Sequence, residues 1–163
     1  MVCVEDRGYQ FADGVYEVCE VRGGRVIDER RHMGRLERSL QELRIPLPKS
    51  LAALGIVLRE TIRRNRVSDG IVYLQITRGV ARRDHAFPPP GTTPAIVVMA
   101  RSLDRVGNER AAAQGISVIT TPDTRWNRVD IKSIALLPNV LAKQAAREQG
   151  ATRRHGWWIA TGG

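Results

Sequence analysis

Two amphipathic helix patterns lie between strand-like apolar segments, and this alternation limits the chain to a small set of folds. The strand-like segments are Gly14–Arg22, Ile71–Thr77 and Ala95–Ala100, and the helical patterns cover residues 29–44 and about 49–65. Helices with one apolar stripe pack on a face of a sheet. The alternation therefore predicts an α+β fold, with a small two-layer domain over residues 1–104. The two stripes consist of Met33, Leu36, Leu40 and Leu43, and of Leu51, Leu54, Leu58 and Ile62.

Turn residues mark the connections in this first domain. The dipeptide Gly23-Gly24 predicts a tight hairpin that pairs Arg25–Asp28 with the preceding strand. A run of three prolines and a glycine at Pro88–Gly91 predicts a loop over residues 79–94. The apolar run Ala95–Ala100 that follows is typical of a buried strand.

The rest of the chain predicts only the beginning of a second domain. Its polar stretch Ser102–Gly115 is interpreted as a connection, Ile116–Thr120 as a short strand and Pro138–Gln149 as a helix. One strand and one helix cannot enclose a core. We therefore expect residues 105–151 to form the incomplete start of a larger domain, and residues 152–163 to be an atypical tail.

Composition excludes several classes of protein. The net charge is +9, but 23 of the 26 cations are Arg and they are spread along the chain, while aromatic residues make up only 5%. Base-stacking platforms need more aromatic residues, so nucleic-acid binding is not expected. No apolar run reaches the length of about 18 residues that a membrane helix needs, and we expect no membrane contact. Two cysteines and no leader pattern predict a cytoplasmic protein without a metal site.

A few side chains could carry chemistry. Lys132 is one of only three lysines, and an amine can lose its proton for Schiff-base chemistry whereas a guanidinium cannot. Arg83 and His85 lie close together after a strand and could hold a carboxylate. Arg35, on the first helix, could meet a phosphate. Spacing alone leaves an ordinary structural role open for each of them: a surface lysine for Lys132, a solvated loop for Arg83 and His85, and a solvated helix face for Arg35. Tyr16 and Tyr73 are expected to pack in the core.

Five motifs in one register change this interpretation. The chain between residue 5 and about residue 151 resembles the class IV (fold type IV) pyridoxal-phosphate-dependent aminotransferases, most closely their D-amino acid (D-alanine) branch. The resemblance implies an enzyme with that family's fold, a small N-terminal domain followed by a larger one. The motifs are Glu5–Val18 (EDRGYQFADGVYEV), His32–Leu36 (HMGRL), Tyr73–Gly79 (YLQITRG), Arg83–Pro88 (RDHAFP) and Asp130–Ser133 (DIKS).

The resemblance implies a role for each candidate. Lys132 matches the catalytic lysine that binds the cofactor, pyridoxal 5'-phosphate, and moves the Cα proton, and Arg35 matches an arginine that binds the cofactor phosphate. Tyr16 matches part of the trap for the substrate carboxylate, which Arg83 and His85 complete from the partner subunit of a homodimer. Tyr73 matches a nearby pocket tyrosine.

The same resemblance implies transamination between a D-amino acid and a 2-oxo acid. Three alternatives stay open: a branched-chain amino acid aminotransferase of the same fold, an aminodeoxychorismate lyase of the same fold, and a non-catalytic fragment. The pair Arg83 and His85 argues against the lyase.

The end of the chain departs from the family pattern. The family continues well beyond residue 163, and the two tryptophans of Thr152–Gly163 stand where it has a strand. An alternative reading frame of the codons for this tail permits a more family-like sequence. We therefore expect a frame change near residue 151, and impaired transaminase activity in the chain as printed. The nucleotide sequence is the test, because stop codons or unrelated sequence in that frame would exclude it.

Overall fold

The computed structural model describes residues 2–115, 117–151 and 158–161. The chain divides into two compact units, one formed by Met1–Leu103 with Asp130–Ile134 and the other by Asp104–Val129 with Ala135–Gly163. The first unit contains α1 (Arg7–Phe11), β1 (Gly14–Arg22), β2 (Arg25–Val26), α2 (Glu29–Glu42), α3 (Leu51–Arg64), β3 (Gly70–Thr77) and β4 (Ala95–Ser102).

A four-stranded antiparallel sheet and two helices form the two layers of the first unit. The strand order is β2-β1-β3-β4, and Val15 lies opposite Ile76 across the β1–β3 pair. Side chains alternate between the two faces of a strand, so one face of each strand joins the core. The predicted α+β architecture and both predicted apolar stripes are confirmed. The core includes Val15, Cys19, Val21, Val72, Leu74 and Ile76 from the sheet, and Met33, Leu36, Leu40, Leu54, Leu58 and Ile62 from α2 and α3.

The predicted hairpin is present, but its returning strand is shorter than the predicted Arg25–Asp28, because β2 covers only Arg25–Val26 and Asp28 is already the N-cap residue of α2. Arg22 pairs with Arg25, which leaves Gly23 and Gly24 as a two-residue loop. Their φ angles are 55° and 74°, a conformation that glycine adopts without steric strain.

In the first hundred residues one prediction needs correction and one element was missed. The strand β4 is not fully buried, because it lies at the edge of the sheet and only one face reaches the core; Met99, on the other face, is 57% exposed. The short helix α1 was not predicted. Its capping residue Asp6 accepts a hydrogen bond from the Gly8 amide at 2.8 Å, but five residues are too few to display a periodic apolar stripe.

The second unit contains α4 (Arg105–Gln114), β5 (Ile119–Pro122), α5 (Leu137–Glu148) and β6 (Trp158–Thr161), and β5 pairs with β6 in parallel. The helix α4 replaces the predicted connection. Its sequence carries no apolar stripe, and the helix accordingly buries no residue. Asp104 caps its first turn.

The helix predicted for the second unit is present and begins one residue earlier, at Leu137, whereas the predicted strand shares only Ile119 and Thr120 with β5. Ile116, the first residue of the predicted strand, lies outside the described residues. The predicted frame change concerns the tail, of which residues 152–157 and 162–163 also lie outside them, and it stays a prediction. The division into 1–104, 105–151 and 152–163 likewise stays a prediction.

Among the described residues, no helix has both the length and the apolar character to cross a membrane. Within the same part of the chain, no three His, Cys, Asp or Glu side chains are grouped closely enough to hold a metal ion.

The core of the first unit generates a stability prediction. Leu58 is 0% exposed, whereas Ile56 on the same helix is 62% exposed. We expect Leu58→Ala to lower the free energy of unfolding by about 2–5 kcal/mol, because it leaves a cavity, and Ile56→Ala to change it by less than about 0.5 kcal/mol. Urea unfolding followed by circular dichroism measures both. Equal effects of the two substitutions would show that α3 does not pack as described.

Candidate active site

Two backbone hydrogen bonds join the segment around Lys132 to the beginning of β1. The Tyr16 amide donates to the Lys132 carbonyl at 3.0 Å, and the Ile134 amide donates to the Gly14 carbonyl at 3.1 Å. Val15 and Ser133 form an antiparallel bridge there. The short strand β2 pairs only with the far end of β1, so this part of the β1 edge is available to the segment.

The helix α2 holds the same segment from its other side. The Lys132 amide donates to the Ser39 hydroxyl at 3.3 Å, and Ser39 is fully buried. Arg38 donates to the Asp130 carbonyl and lies 3.6 Å from the Asp130 carboxylate. The neighbouring Ile131 is part of the core. The main chain of Lys132 is therefore anchored on two elements.

The amine of Lys132 lies over an aromatic ring. Its Nζ is 4.2 Å from the centroid of the Tyr16 ring, and that ring stacks on Tyr73 with centroids 5.7 Å apart. The Tyr73 hydroxyl donates to Gln75 Oε1 at 2.6 Å. Burial, with a smaller contribution from Tyr16, raises the pKa of Tyr73, so its phenol stays protonated. Contrary to the expectation of core packing, both tyrosines are only half-buried and lie on the sheet face opposite the core.

No described residue forms an ion pair with Lys132, and the lysine is half-buried. The contact between Nζ and the Tyr16 ring has the geometry of a cation–π interaction. Within the described part of the chain the amine is therefore bound to no carboxylate and remains available to a ligand beside that ring.

Arg35 is held by a buried carboxylate. Its Nε and Nη2 donate to the two carboxylate oxygens of Glu17 at 2.7 and 2.6 Å, and the Glu17 side chain is 0% exposed. These hydrogen bonds raise the pKa of Arg35 in spite of its partial burial. Its side chain is 44% exposed, and the described residues give Nη1 no partner. One edge of the guanidinium therefore remains available to an anion.

The structure adds two residues that the sequence analysis did not assign. Glu17 lies between Val15 and Cys19 on the buried face of β1, and His32 Nδ1 is 2.8 Å from its Oε2. An acidic residue at a core-facing position of a strand is unusual, and the alternation of Val15, Glu17 and Cys19 in the sequence could have revealed it. The spacing of His32 and Arg35, one turn apart on α2, gave no signal by itself.

Arg83 and His85 lie around a different residue, Phe11. The Arg83 guanidinium is 4.7 Å from the centroid of the Phe11 ring, and the His85 ring meets it edge-on at 5.4 Å. Both residues are exposed. Within the described part of the chain, no ring contact or hydrogen bond joins either of them to Lys132, Tyr16 or Tyr73. Their predicted role in a partner subunit's site stays a prediction.

A buried ion-pair cluster anchors the loop that carries these two residues. Asp13 accepts hydrogen bonds from Arg7 at 2.7 Å and from Arg78 at 2.7 and 3.0 Å. Arg7 also donates to the Asp84 carbonyl at 2.6 Å, and the Arg78 guanidinium lies 3.9 Å from the centroid of the Phe87 ring. The loop is thus attached between Arg83 and His85, at Asp84, and again just after them, at Phe87.

This cluster generates a pH-dependent prediction. Burial acts to raise the pKa of Asp13, but the hydrogen bonds from Arg78 and Arg7 outweigh it and hold the pKa below its ordinary value of 3.8. The ionised carboxylate therefore stabilises the fold above that pH, and this contribution is lost as the pH falls through the folded-state pKa. We expect Asp13→Asn to lower the free energy of unfolding by about 3 kcal/mol at neutral pH.

The same substitution is expected to matter less in acid, where the native Asp13 is itself protonated. Urea unfolding at a series of pH values measures the difference between the two chains. Glu20→Gln is the control, because the Glu20–Arg22 pair is exposed on both sides and its loss changes stability little. A difference that stays constant from neutral to strongly acidic pH would contradict the assignment.

Comparison with known proteins gives the family. The family model described as amino-transferase class IV matches residues 14–161. The chain is 41% identical over 150 residues to the D-alanine aminotransferase of Staphylococcus epidermidis. This match covers 92% of the chain and 52% of the relative. The chain therefore spans about half the length of the curated relatives it matches.

Solved structures agree on the fold. A 4-amino-4-deoxychorismate lyase from Pseudomonas aeruginosa has a TM-score of 0.77 at 28% identity, covering 98% of this chain and 57% of that one. The branched-chain amino acid aminotransferase of Escherichia coli has a TM-score of 0.77 at 22% identity, covering 98% and 54%. Because the family model covers nearly the whole chain, from β1 to β6, the chain belongs to the class IV aminotransferases.

Proposed function

We propose that the protein takes part in pyridoxal-phosphate-dependent transamination of a D-amino acid, such as D-alanine, with a 2-oxo acid. The observation that carries the proposal is the amine of Lys132, which lies 4.2 Å from the Tyr16 ring centroid and has no acidic partner among the described residues. Arg35 is anchored on Glu17, the residue that follows Tyr16 in β1. An amine and a guanidinium are thus attached to neighbouring positions of one strand.

The donor set fits the cofactor. A phosphorylated aldehyde needs an amine that can condense with it and a cation for its phosphate. Lys132 and Arg35 supply these two groups, and the stacked rings of Tyr16 and Tyr73 supply an apolar platform beside the amine. When bound, pyridoxal 5'-phosphate supplies an electron sink for the negative charge that develops at the substrate Cα.

Lys132 has two tasks in this proposal. Its Nζ would hold the cofactor by condensing with the aldehyde, with loss of water, and once the substrate amine had displaced it the free amine would accept the Cα proton and return it. Both tasks need an amine that is not bound to a carboxylate, and no described residue forms an ion pair with Lys132. Its backbone bonds to Tyr16 and Ser39 fix where that proton is delivered.

The substrate carboxylate is assigned to Tyr16 with Arg83 and His85 of a second subunit. The exposure of the two loop residues, and their attachment to Phe11 on the same chain, support a role at a subunit surface. In this proposal, the D-amino acid is selected because these three residues hold the substrate carboxylate on one defined side of the site. Homodimer assembly and a cytoplasmic location stay predictions from the resemblance.

The fold alone does not choose among the activities of the family, since the similar structures include a lyase and a branched-chain aminotransferase. The D-amino acid assignment is supported by the 41% identity to a D-alanine aminotransferase and by the Arg83–His85 motif. A half-reaction separates the alternatives: the cofactor-loaded protein is mixed with D-alanine or with L-leucine, and the change in cofactor absorbance is followed. A faster change with L-leucine would favour the branched-chain alternative.

Covalent trapping tests the central assignment. The protein is incubated with pyridoxal 5'-phosphate and reduced with borohydride, and the labelled peptides are mapped. We expect the adduct on Lys132, in large excess over the exposed residues Lys49 and Lys143, because only Lys132 lies beside an aromatic platform.

Two variants control the trapping experiment. Lys132→Ala is expected to abolish the specific adduct, and Lys143→Arg to leave it unchanged. Label distributed evenly over the three lysines, or no label at all, would support the alternative of a non-catalytic fragment.

A further inference from the structure

Glu17 is a charged residue in a place where charges are rare. Its side chain is 0% exposed and shares the buried face of β1 with Val15 and Cys19. A buried carboxylate is destabilising unless it is paired and hydrogen-bonded. The pairing here is complete, because Arg35 donates to both oxygens and His32 Nδ1 lies 2.8 Å from Oε2.

The surrounding groups leave Glu17 as the partner that determines the orientation of Arg35. Burial raises the pKa of Cys19 to about 12, so that neighbour is a neutral thiol and does not compete for the guanidinium. Glu29, also on α2, is bound to Arg59 at 2.8 Å. The bidentate bond from Glu17 therefore fixes the guanidinium plane and directs the remaining Nη1 away from the carboxylate.

We infer that Glu17, supported by His32, is a positioning residue that holds Arg35 ready for the cofactor phosphate. The inference rests on the proposed function, because it takes that phosphate as the anion at Arg35. A free arginine side chain loses rotamer entropy when it is immobilised. Glu17 immobilises Arg35 before the ligand arrives, so this cost does not weaken binding.

His32 completes the carboxylate shell. Its Nδ1 lies 2.8 Å from Oε2 of Glu17, the oxygen that also accepts from Arg35 Nη2, and 3.3 Å from that Nη2. This contact holds the carboxylate against rotation. His32 and Arg35 are one turn apart on α2, and both bind the same carboxylate from one face of that helix.

The test compares two aldehydes that differ only in the phosphate. Lys132 adduct formation is titrated with pyridoxal 5'-phosphate and with pyridoxal, using borohydride trapping. We expect Glu17→Gln to weaken the apparent affinity for the phosphorylated aldehyde about tenfold, the effect of one charge-assisted hydrogen bond, and to leave the affinity for pyridoxal unchanged. Glu29→Gln is the matched control, because it removes an acidic residue of α2 that binds Arg59 and not Arg35. This variant is expected to change the affinity for neither aldehyde.

A double-mutant cycle distinguishes positioning from direct binding. If Glu17 acts through Arg35, then Glu17→Gln has no further effect on the phosphorylated aldehyde once Arg35→Ala is present. Equal weakening for both aldehydes, no weakening for either, or an additive effect in the Arg35→Ala background would each overturn the inference. Failure of the proposed function gives a different result, since the unmodified protein would then form no specific Lys132 adduct with either aldehyde, and both proposals would fall.

Folding is checked separately by circular dichroism and thermal melting of each variant. If Glu17→Gln does not fold, Glu17→Asp replaces it, because Asp keeps the charge in the core and shortens its reach by one methylene. We expect this variant to weaken binding of the phosphorylated aldehyde while leaving pyridoxal unaffected. Unchanged binding of both aldehydes by a folded Glu17→Asp, with Arg35→Ala still weakening the phosphorylated one, would overturn the inference.

Discussion

The short antiparallel contact between the segment 131–134 and the beginning of β1 is the constraint on which the candidate site depends. Two backbone hydrogen bonds and the Val15–Ser133 bridge bring Lys132 beside Tyr16, although more than a hundred residues separate them in the chain. The contact is possible because β2 leaves that part of the β1 edge unpaired. Since backbone geometry determines it, the position of the lysine is independent of its own side chain.

The strand β1 serves both faces of the sheet at once. Its odd-numbered residues enter the core beneath α2 and α3, and among them Glu17 carries the bond to Arg35. Its even-numbered residues include Tyr16, which carries the stack with Tyr73 and the contact with Lys132. One nine-residue strand therefore couples the proposed phosphate-binding group to the proposed amine through consecutive residues.

Two acids of the first unit, Asp13 and Glu17, are bound by arginine side chains, whereas the buried Asp6 accepts hydrogen bonds from Thr77 and Gly8. Asp13 is bound by Arg7 and Arg78, and Glu17 by Arg35. Bidentate guanidinium groups offset the loss of hydration and also fix geometry. Both clusters lie next to residues with proposed functions, Arg83 and His85 in one case and Lys132 in the other.

Local apolar patterns were sufficient to predict β1, α2, α3 and β3, and the local turn and cap residues predicted the Gly23-Gly24 hairpin and α5, because both signals are properties of short segments. The five motifs in one register identified the family from sequence, while the role of Lys132 stays a prediction. The helix α4 escaped prediction because it buries nothing, and the partial exposure of β4 depended on its place at the sheet edge. Only the tertiary structure decided that Lys132 meets Tyr16, that Arg35 is held by Glu17, and that Arg83 and His85 gather around Phe11. Those contacts join residues that are far apart in sequence, and a pattern within a short segment does not identify the distant side chain that a residue contacts.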